Sequence, residues 1–443
     1  MADPKPVDAS FRLRTFASAF ALAVTTLIAV IHGAGAARAQ DVSVSRPTPA
    51  TAGEMLVFVG SRVPADRDGI RVLAFDPQAP AFREVAAIRG VASPTYLAVV
   101  PERRRIFTVS EVARQGGVRE GEIVAFDFDR ETSAATLAWR RQSGGNGPCH
   151  IAVLRGSGGR DDSPLTLGVA HYSDGATTVL QDDGRSSTPV LRPQTARAAG
   201  LPLFQTGPVR ERQEAPHAHF VGQAPGDDRF VFWCDLGADR VHLGSLTPDA
   251  PASEGIALPP GSGPRHAVVD GDRLYVVCEL SSTIETLRAA SGGLLQRLPE
   301  RITSTLPPGV AAAGNFPAAI KLSPDRRRLY VSNRGADLLA TFDLGLPQDR
   351  APTESRPGLV PWKAVSFVPA GGAWPWDLEP SPDGRFLFVA NTKSDELVAF
   401  AIDPASGAPK TIVARIAVEK PTCVVASARF PGAASMPASR PIR

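Results

Sequence analysis

Four widely separated residues could together perform chemistry: His217, Arg265, Glu279 and Arg334. An arginine grips a carboxylate or phosphate through two parallel hydrogen bonds, and a histidine titrates near neutral pH. Gathered round one mouth, the two arginines would bind an anionic substrate while His217 and Glu279 exchange a proton with it. By two-residue alternation His219 shares a strand face with His217, whereas His266 points away from Arg265 and reads as a structural histidine. His150 and Tyr172 are weaker candidates, and His219, His266 and His150 make up the candidate substrate-binding set. The alternative is an ion-pair ring lining a channel, because strand ends at a rim are normally polar.

The elements that must position these residues repeat seven times. A short apolar strand with a polar end recurs as FVGSR (58–62), FTVSE (107–111), LGVAH (167–171), VFWCD (231–235), YVVCE (275–279), YVSNR (330–334) and FVANT (388–392). The strand ends are 49, 60, 64, 44, 55 and 58 positions apart, a spacing that suits a four-stranded propeller blade. A second strand follows each within a few turn-forming residues, as in GIRVLAFDP (69–77), so every unit opens as a hairpin. Arg62, Glu111, His171 and Asp235 occupy the strand-end place without a claim to catalysis.

Upstream of six hairpins lies a heptapeptide with proline second: SPTYLAV (93–99), GPCHIAV (147–153), APHAHFV (215–221), GPRHAVV (263–269), FPAAIKL (316–322) and WPWDLEP (374–380). Proline suits the head of a strand, where no ladder bond is lost. The first hairpin lacks this element, and a seventh copy, KPTCVVA (420–426), stands near the C-terminus. The expectation is an all-β, seven-bladed propeller whose first blade is closed by a C-terminal strand, leaving no free sheet edge. Antiparallel pairing sets the start of each inner strand beside the end of its neighbour, and this brings His217, Arg265, Glu279 and Arg334 to one rim.

Residues 1–39 read as a targeting segment, with Arg12 and Arg14 before an apolar run from Phe16 to Val30 and small residues at Ala37 and Ala39. That run is short for a membrane span, so the expectation is a signal peptide and a periplasmic or secreted protein with no membrane attachment after cleavage. A short linker (40–54), the propeller (55–428) and a flexible tail (429–443) complete the expected organisation, as a monomer. The formal charge is +3, or +1 without the four basic and two acidic side chains of the leader, so nothing suggests nucleic acid. Cys149, Cys234, Cys278 and Cys423 fall at repeat positions too far apart for bridging and are expected as buried thiols. No histidine or cysteine spacing fits a metal site, and no cofactor is implied.

The segments PHAHFV with FWCDLGADRV, GPRHAVV with LYVVCELSSTIETL, LSPDRRRLYVSNRGADLLATFDL and SPDGRFLFVANTKSDELVAFAIDPASG resemble the seven-bladed propeller lactonases. That family includes bacterial 6-phosphogluconolactonases and fungal 3-carboxy-cis,cis-muconate lactonizing enzymes. The resemblance runs from about Met55 to Val425 and is strongest from Ala215 onward. It implies active-site roles for His217, Arg265 of GPRH, Glu279 of CEL and Arg334 of SNRG. It also implies hydrolysis of a sugar-derived or carboxylated lactone, with His217 or Glu279 as general base. The chain departs from the pattern at VPERRRIF (100–107) and RGSGGRDDSPLT (155–166), and an export signal sits poorly with a cytoplasmic phosphosugar. A non-catalytic exported binding module and a muconate cycloisomerase-type lyase are the alternatives.

Overall fold

The computed structural model describes residues 43–44, 49–112 except 52, 121–154, 165–182, 192–193, 206–246, 253–290, 295–298, 302–345 and 362–427. The leader 1–39 and the tail 429–443 lie outside them, as do most of RGSGGRDDSPLT and much of the insertions between blades.

The strands pair into seven antiparallel sheets, the blades of a β-propeller, and no α-helix occurs among the described residues. Blade 1 pairs Pro421–Ser427 with Met55–Ser61, Ile70–Asp76 and Ala81–Ile88 in that order, so the C-terminal strand closes the ring. Blade 5 has Pro264–Asp270, Arg273–Cys278, Thr283–Ala289 and Leu295–Arg297, and among the described residues it alone carries a fifth strand, Thr303–Ser304, added on the third. Blade faces bury apolar stripes against the next blade. At the closure Phe75 of blade 1 meets Phe386 and Phe388 of blade 7, edge to face, at 5.0 and 5.1 Å. The four cysteines are unpaired and buried.

One backbone bond marks the same rim in blade after blade. The residue just past the second strand donates its N–H to the first residue of the heptapeptide: Arg62 to Lys420, Glu111 to Ser93, Tyr172 to Gly147, Glu279 to Gly263 and Thr392 to Trp374. In blades 1, 3, 5 and 7 the third residue of the heptapeptide is then an extra one in the ladder, a β-bulge at Thr422, Cys149, Arg265 and Trp376. A bulge breaks alternation and re-aims the side chains beside it.

Blade 4 differs. There the marking bond runs from Leu236 to His217, and the bulge falls on His219. Its inner strand therefore enters the ladder two residues later than the proline register implies. The place of Arg265 in blade 5 is taken in blade 4 by His219, not His217.

Candidate functional site

The bulges and strand ends meet in a cavity of about 400 Å³ lined by Arg265, Glu279 and Arg334 together with His219 and His266. Arg62, Thr95, Tyr96, Glu111, Cys149, Tyr172, Arg212 and Trp376 complete its wall. A larger depression of about 1210 Å³ opens at the other ends of the inner strands of blades 4 and 5. There Asp270 is paired with Arg326 at 2.6 Å and Asp227 with Arg229 at 2.7 Å.

Glu279 is the hub. Its Oε2 lies 2.5 Å from Arg334 Nη2 and 2.9 Å from Arg265 Nε, while Oε1 accepts a hydrogen bond from Arg212. Burial alone would raise its pKa, but the three guanidiniums outweigh this and hold the carboxyl far below its ordinary range. Arg265 is 1% exposed and donates Nη1 to the Ala318 carbonyl at 2.8 Å, and Arg334 donates Nε to Phe316 at 3.0 Å. Burial and the nearby Arg265 bring Arg334 down to about 10 despite its bond to Glu279. Gly335 of SNRG has φ +92, and a Cβ there would lie 2.0 Å from the Gly314 carbonyl, so only glycine lets the chain turn away behind Arg334.

Trp376 forms a shared aromatic wall. The guanidinium carbons of Arg334, Arg62 and Arg265 stand 4.8, 5.3 and 5.8 Å from its ring centre, within cation–π range. Four arginines against two carboxylates leave the wall with surplus positive charge. Uncompensated buried cations are costly, and an incoming anion relieves that cost.

The histidines divide. His219 faces the cavity with Nδ1 buried and without a hydrogen-bond partner. Burial, then Arg265, push its pKa well below 6.5, with Glu279 opposing, so the imidazole is neutral. His266 also lines the cavity because the bulge at Arg265 cancels the alternation that would turn it away; burial and Arg265 hold it neutral too. His150 sits beneath, between Tyr96 and Phe220 at 4.2 and 4.1 Å, with Nδ1 3.3 Å from the Val221 amide. His217 is outside the cavity wall. Its ring stacks on Tyr172 at 4.3 Å, Nδ1 is 2.6 Å from the Tyr172 carbonyl, and Nε2 is 3.1 Å from Glu214. The structure thus joins Arg265, Glu279, Arg334, His219 and His266, and sets His217 and His150 behind them.

Sequence reasoning passed over Arg62, Glu111, Thr95, Trp376 and Arg212. Arg62 and Glu111 stand at the strand-end place, and Thr95 and Trp376 are third in their heptapeptides, so the repeat carried a signal for all four. Arg212 had none. It is delivered by the loop before blade 4, anchored through buried Gln213, whose Nε2 donates to Asp239 and to the Leu236 carbonyl, both at 2.8 Å. Asp239 also accepts the amides of Gly261 and Gly263 at 2.6 and 2.7 Å, so one carboxylate ties the Arg212 loop to the turn that starts the Arg265 strand.

The comparisons with known proteins agree with this architecture. The model of the seven-bladed β-propeller lactonase family matches residues 56–426, and the chain belongs to that family. It is 27% identical to a 6-phosphogluconolactonase of Bacillus subtilis over 373 residues, which cover 83% of this chain and 97% of the relative. A 6-phosphogluconolactonase of Formosa agariphila is 26% identical over 353 residues, 76% of this chain and 90% of the relative. Among solved structures, the periplasmic gluconolactonase of Pseudomonas aeruginosa superposes with a TM-score of 0.69 at 28% identity, covering 85% of this chain and 99% of that one.

Proposed function

We propose that the protein hydrolyses a sugar-derived or carboxylated lactone in the cavity around Glu279. The observation that carries this reading is the convergence of Arg265, Arg334 and Arg212 on a single buried carboxylate, with positive charge left over. The surplus suits an anionic substrate and the oxyanion that develops when its carbonyl is attacked. Arg265 and Arg334 hold the carbonyl oxygen as it gains charge. His219, neutral and part of the cavity wall, takes a proton from the attacking water. The tetrahedral intermediate then collapses, the ring oxygen leaves and receives that proton, and a hydroxy acid is released. Glu279 serves as the anchor of the arginines, both its oxygens being taken up by Arg334, Arg265 and Arg212. His217 supports Tyr172 from behind.

An N-terminal segment that reads as an export signal and the likeness to the periplasmic gluconolactonase support action in the periplasm, on a sugar acid lactone available there. The test is a pH-indicator screen of the purified protein on aldonolactones, phosphorylated aldonolactones and carboxylated lactones, corrected for spontaneous opening. Acid release above background supports the hydrolase. Loss of diene absorbance from a muconate with no acid release would favour the cycloisomerase, and neither signal would favour a binding module.

A further inference from the structure

In the cavity that holds the Glu279 cluster, blades 1 and 2 contribute a second charged station. Arg62 reaches both oxygens of Glu111 through Nη2, at 2.8 and 2.9 Å, and Thr95 donates its hydroxyl to Glu111 Oε2 at 2.5 Å. Because both contacts come from Nη2, Nη1 and Nε are left over, and Nε is buried without a hydrogen-bond partner. The side chain of Arg62 is 40% exposed, against 1% and 6% for Arg265 and Arg334. All three line one cavity and stand over one indole, Trp376. Glu111 and Thr95 fix the direction of an arginine that would otherwise sample many rotamers, and Nη1 is kept for something else.

The geometry points to Arg62, held by Glu111 and Thr95, as a specificity-determining arm that binds a second negative group of the substrate, remote from the lactone carbonyl. This rests on the reading of the cavity as an anion-binding lactonase site and adds to it the residue that would read a second negative group at the far end of the substrate. The Arg62 and Arg334 guanidiniums can be no farther apart than their two distances to Trp376 laid end to end. A six-carbon acid charged at both ends is long enough to bridge any separation within that limit. The carboxylate formed at the reacting end would face Arg265 and Arg334, and a terminal carboxylate or phosphate would face Arg62.

Direct binding separates this from catalysis. Isothermal titration of the intact protein with gluconate, glucarate and galactarate compares one monoanion with two dianions of the same chain length. The wild type should bind both dianions roughly tenfold or more tightly than gluconate, the order expected for a charge-assisted hydrogen bond. In Arg62→Ala the preference should collapse toward unity, with Arg62→Lys between. Glu111→Gln, which loosens Arg62, should weaken dianion binding more than gluconate binding. Thermal melts verify folding of each variant, and Arg62→Gln substitutes if the alanine variant is unfolded. A dianion preference that survives in folded Arg62→Ala or Arg62→Gln overturns the assignment of the arm while leaving the anion cavity standing. Failure of the wild type to bind any of the three overturns both.

Discussion

Arg334 Nη2 and Glu279 Oε2 lie 2.5 Å apart, with side chains only 6% and 2% exposed. A charge pair so far from water is favourable only while its partners stay in place, because each member alone carries a large desolvation cost. The pair is shared with Arg265 and Arg212, so Glu279 balances more positive charge than it carries.

Replacing that carboxylate should therefore cost stability as well as turnover. Glu279→Gln leaves three guanidiniums converging on a neutral amide, and a loss of about 3–5 kcal/mol is expected, the range for breaking a buried pair. Denaturant titration of both proteins measures it. A melting curve unchanged from wild type would mean that water or a counterion satisfies the arginines without Glu279.

Acid should destabilise the protein in two stages. His150, His219 and His266 are held neutral in the folded state, chiefly by burial, while in the unfolded chain they take up protons below about pH 6.5. Their folded pKa values are lowered, so their contribution is intact above about 6.5 and falls as pH drops below it. Glu279, also lowered, adds a second loss below about 4.3, the usual unfolded value. Asp377 and Glu379 have raised values from burial and work in the opposite direction just above that point. His266→Phe, which keeps a ring among Tyr96, Phe220 and His150, should flatten the slope below pH 6.5 by one proton, about 1.4 kcal/mol per pH unit. Calorimetry from pH 7 to 5 reads the difference. Equal slopes would remove His266 from the linkage.

The tie between the two loops is tested at Asp239. Asp239→Asn keeps the side-chain shape and tolerates its φ of +51, but puts a donor in place of one of the two oxygens at which three N–H groups now point. A loss of about 1–3 kcal/mol is expected from the unsatisfied group, together with a fall in kcat as Arg212 loses its anchor. Unaltered kcat in a destabilised variant would limit Asp239 to a structural role.

Ring closure predicts a sharp boundary. Deletion from Lys420 removes the inner strand of blade 1 and exposes the edge of Met55–Ser61, so the product should aggregate or unfold. Deletion from Pro431 leaves the strand that ends at Ser427 intact, and its melting temperature should match the full chain. A stable monomer from the longer deletion would contradict closure.

The blades were legible because each strand carries its own apolar run and turn, and KPTCVVA stood out as a heptapeptide without a hairpin of its own. Arg265, Glu279 and Arg334 were legible because they sit in regular repeats. His219 and His217 exchanged places because proline position and ladder position part company in blade 4, where the bulge lies two residues further on. A bulge leaves no mark in composition, which is also why His266 was assigned to the wrong face. Arg212 reaches Glu279 through a loop held by Gln213 and Asp239, a tertiary contact with no periodicity to reveal it.

The most direct measurement is the rate of opening of 6-phosphoglucono-1,5-lactone, above its spontaneous hydrolysis, by wild type, His219→Gln and Arg265→Lys. Wild type should accelerate the reaction. His219→Gln should lower kcat by about a hundredfold or more, the usual worth of a general base, and Arg265→Lys should also impair turnover because an ammonium cannot reproduce the guanidinium fork. A wild type no faster than buffer on this and every other lactone, or full activity in both variants, would contradict hydrolysis at this cavity.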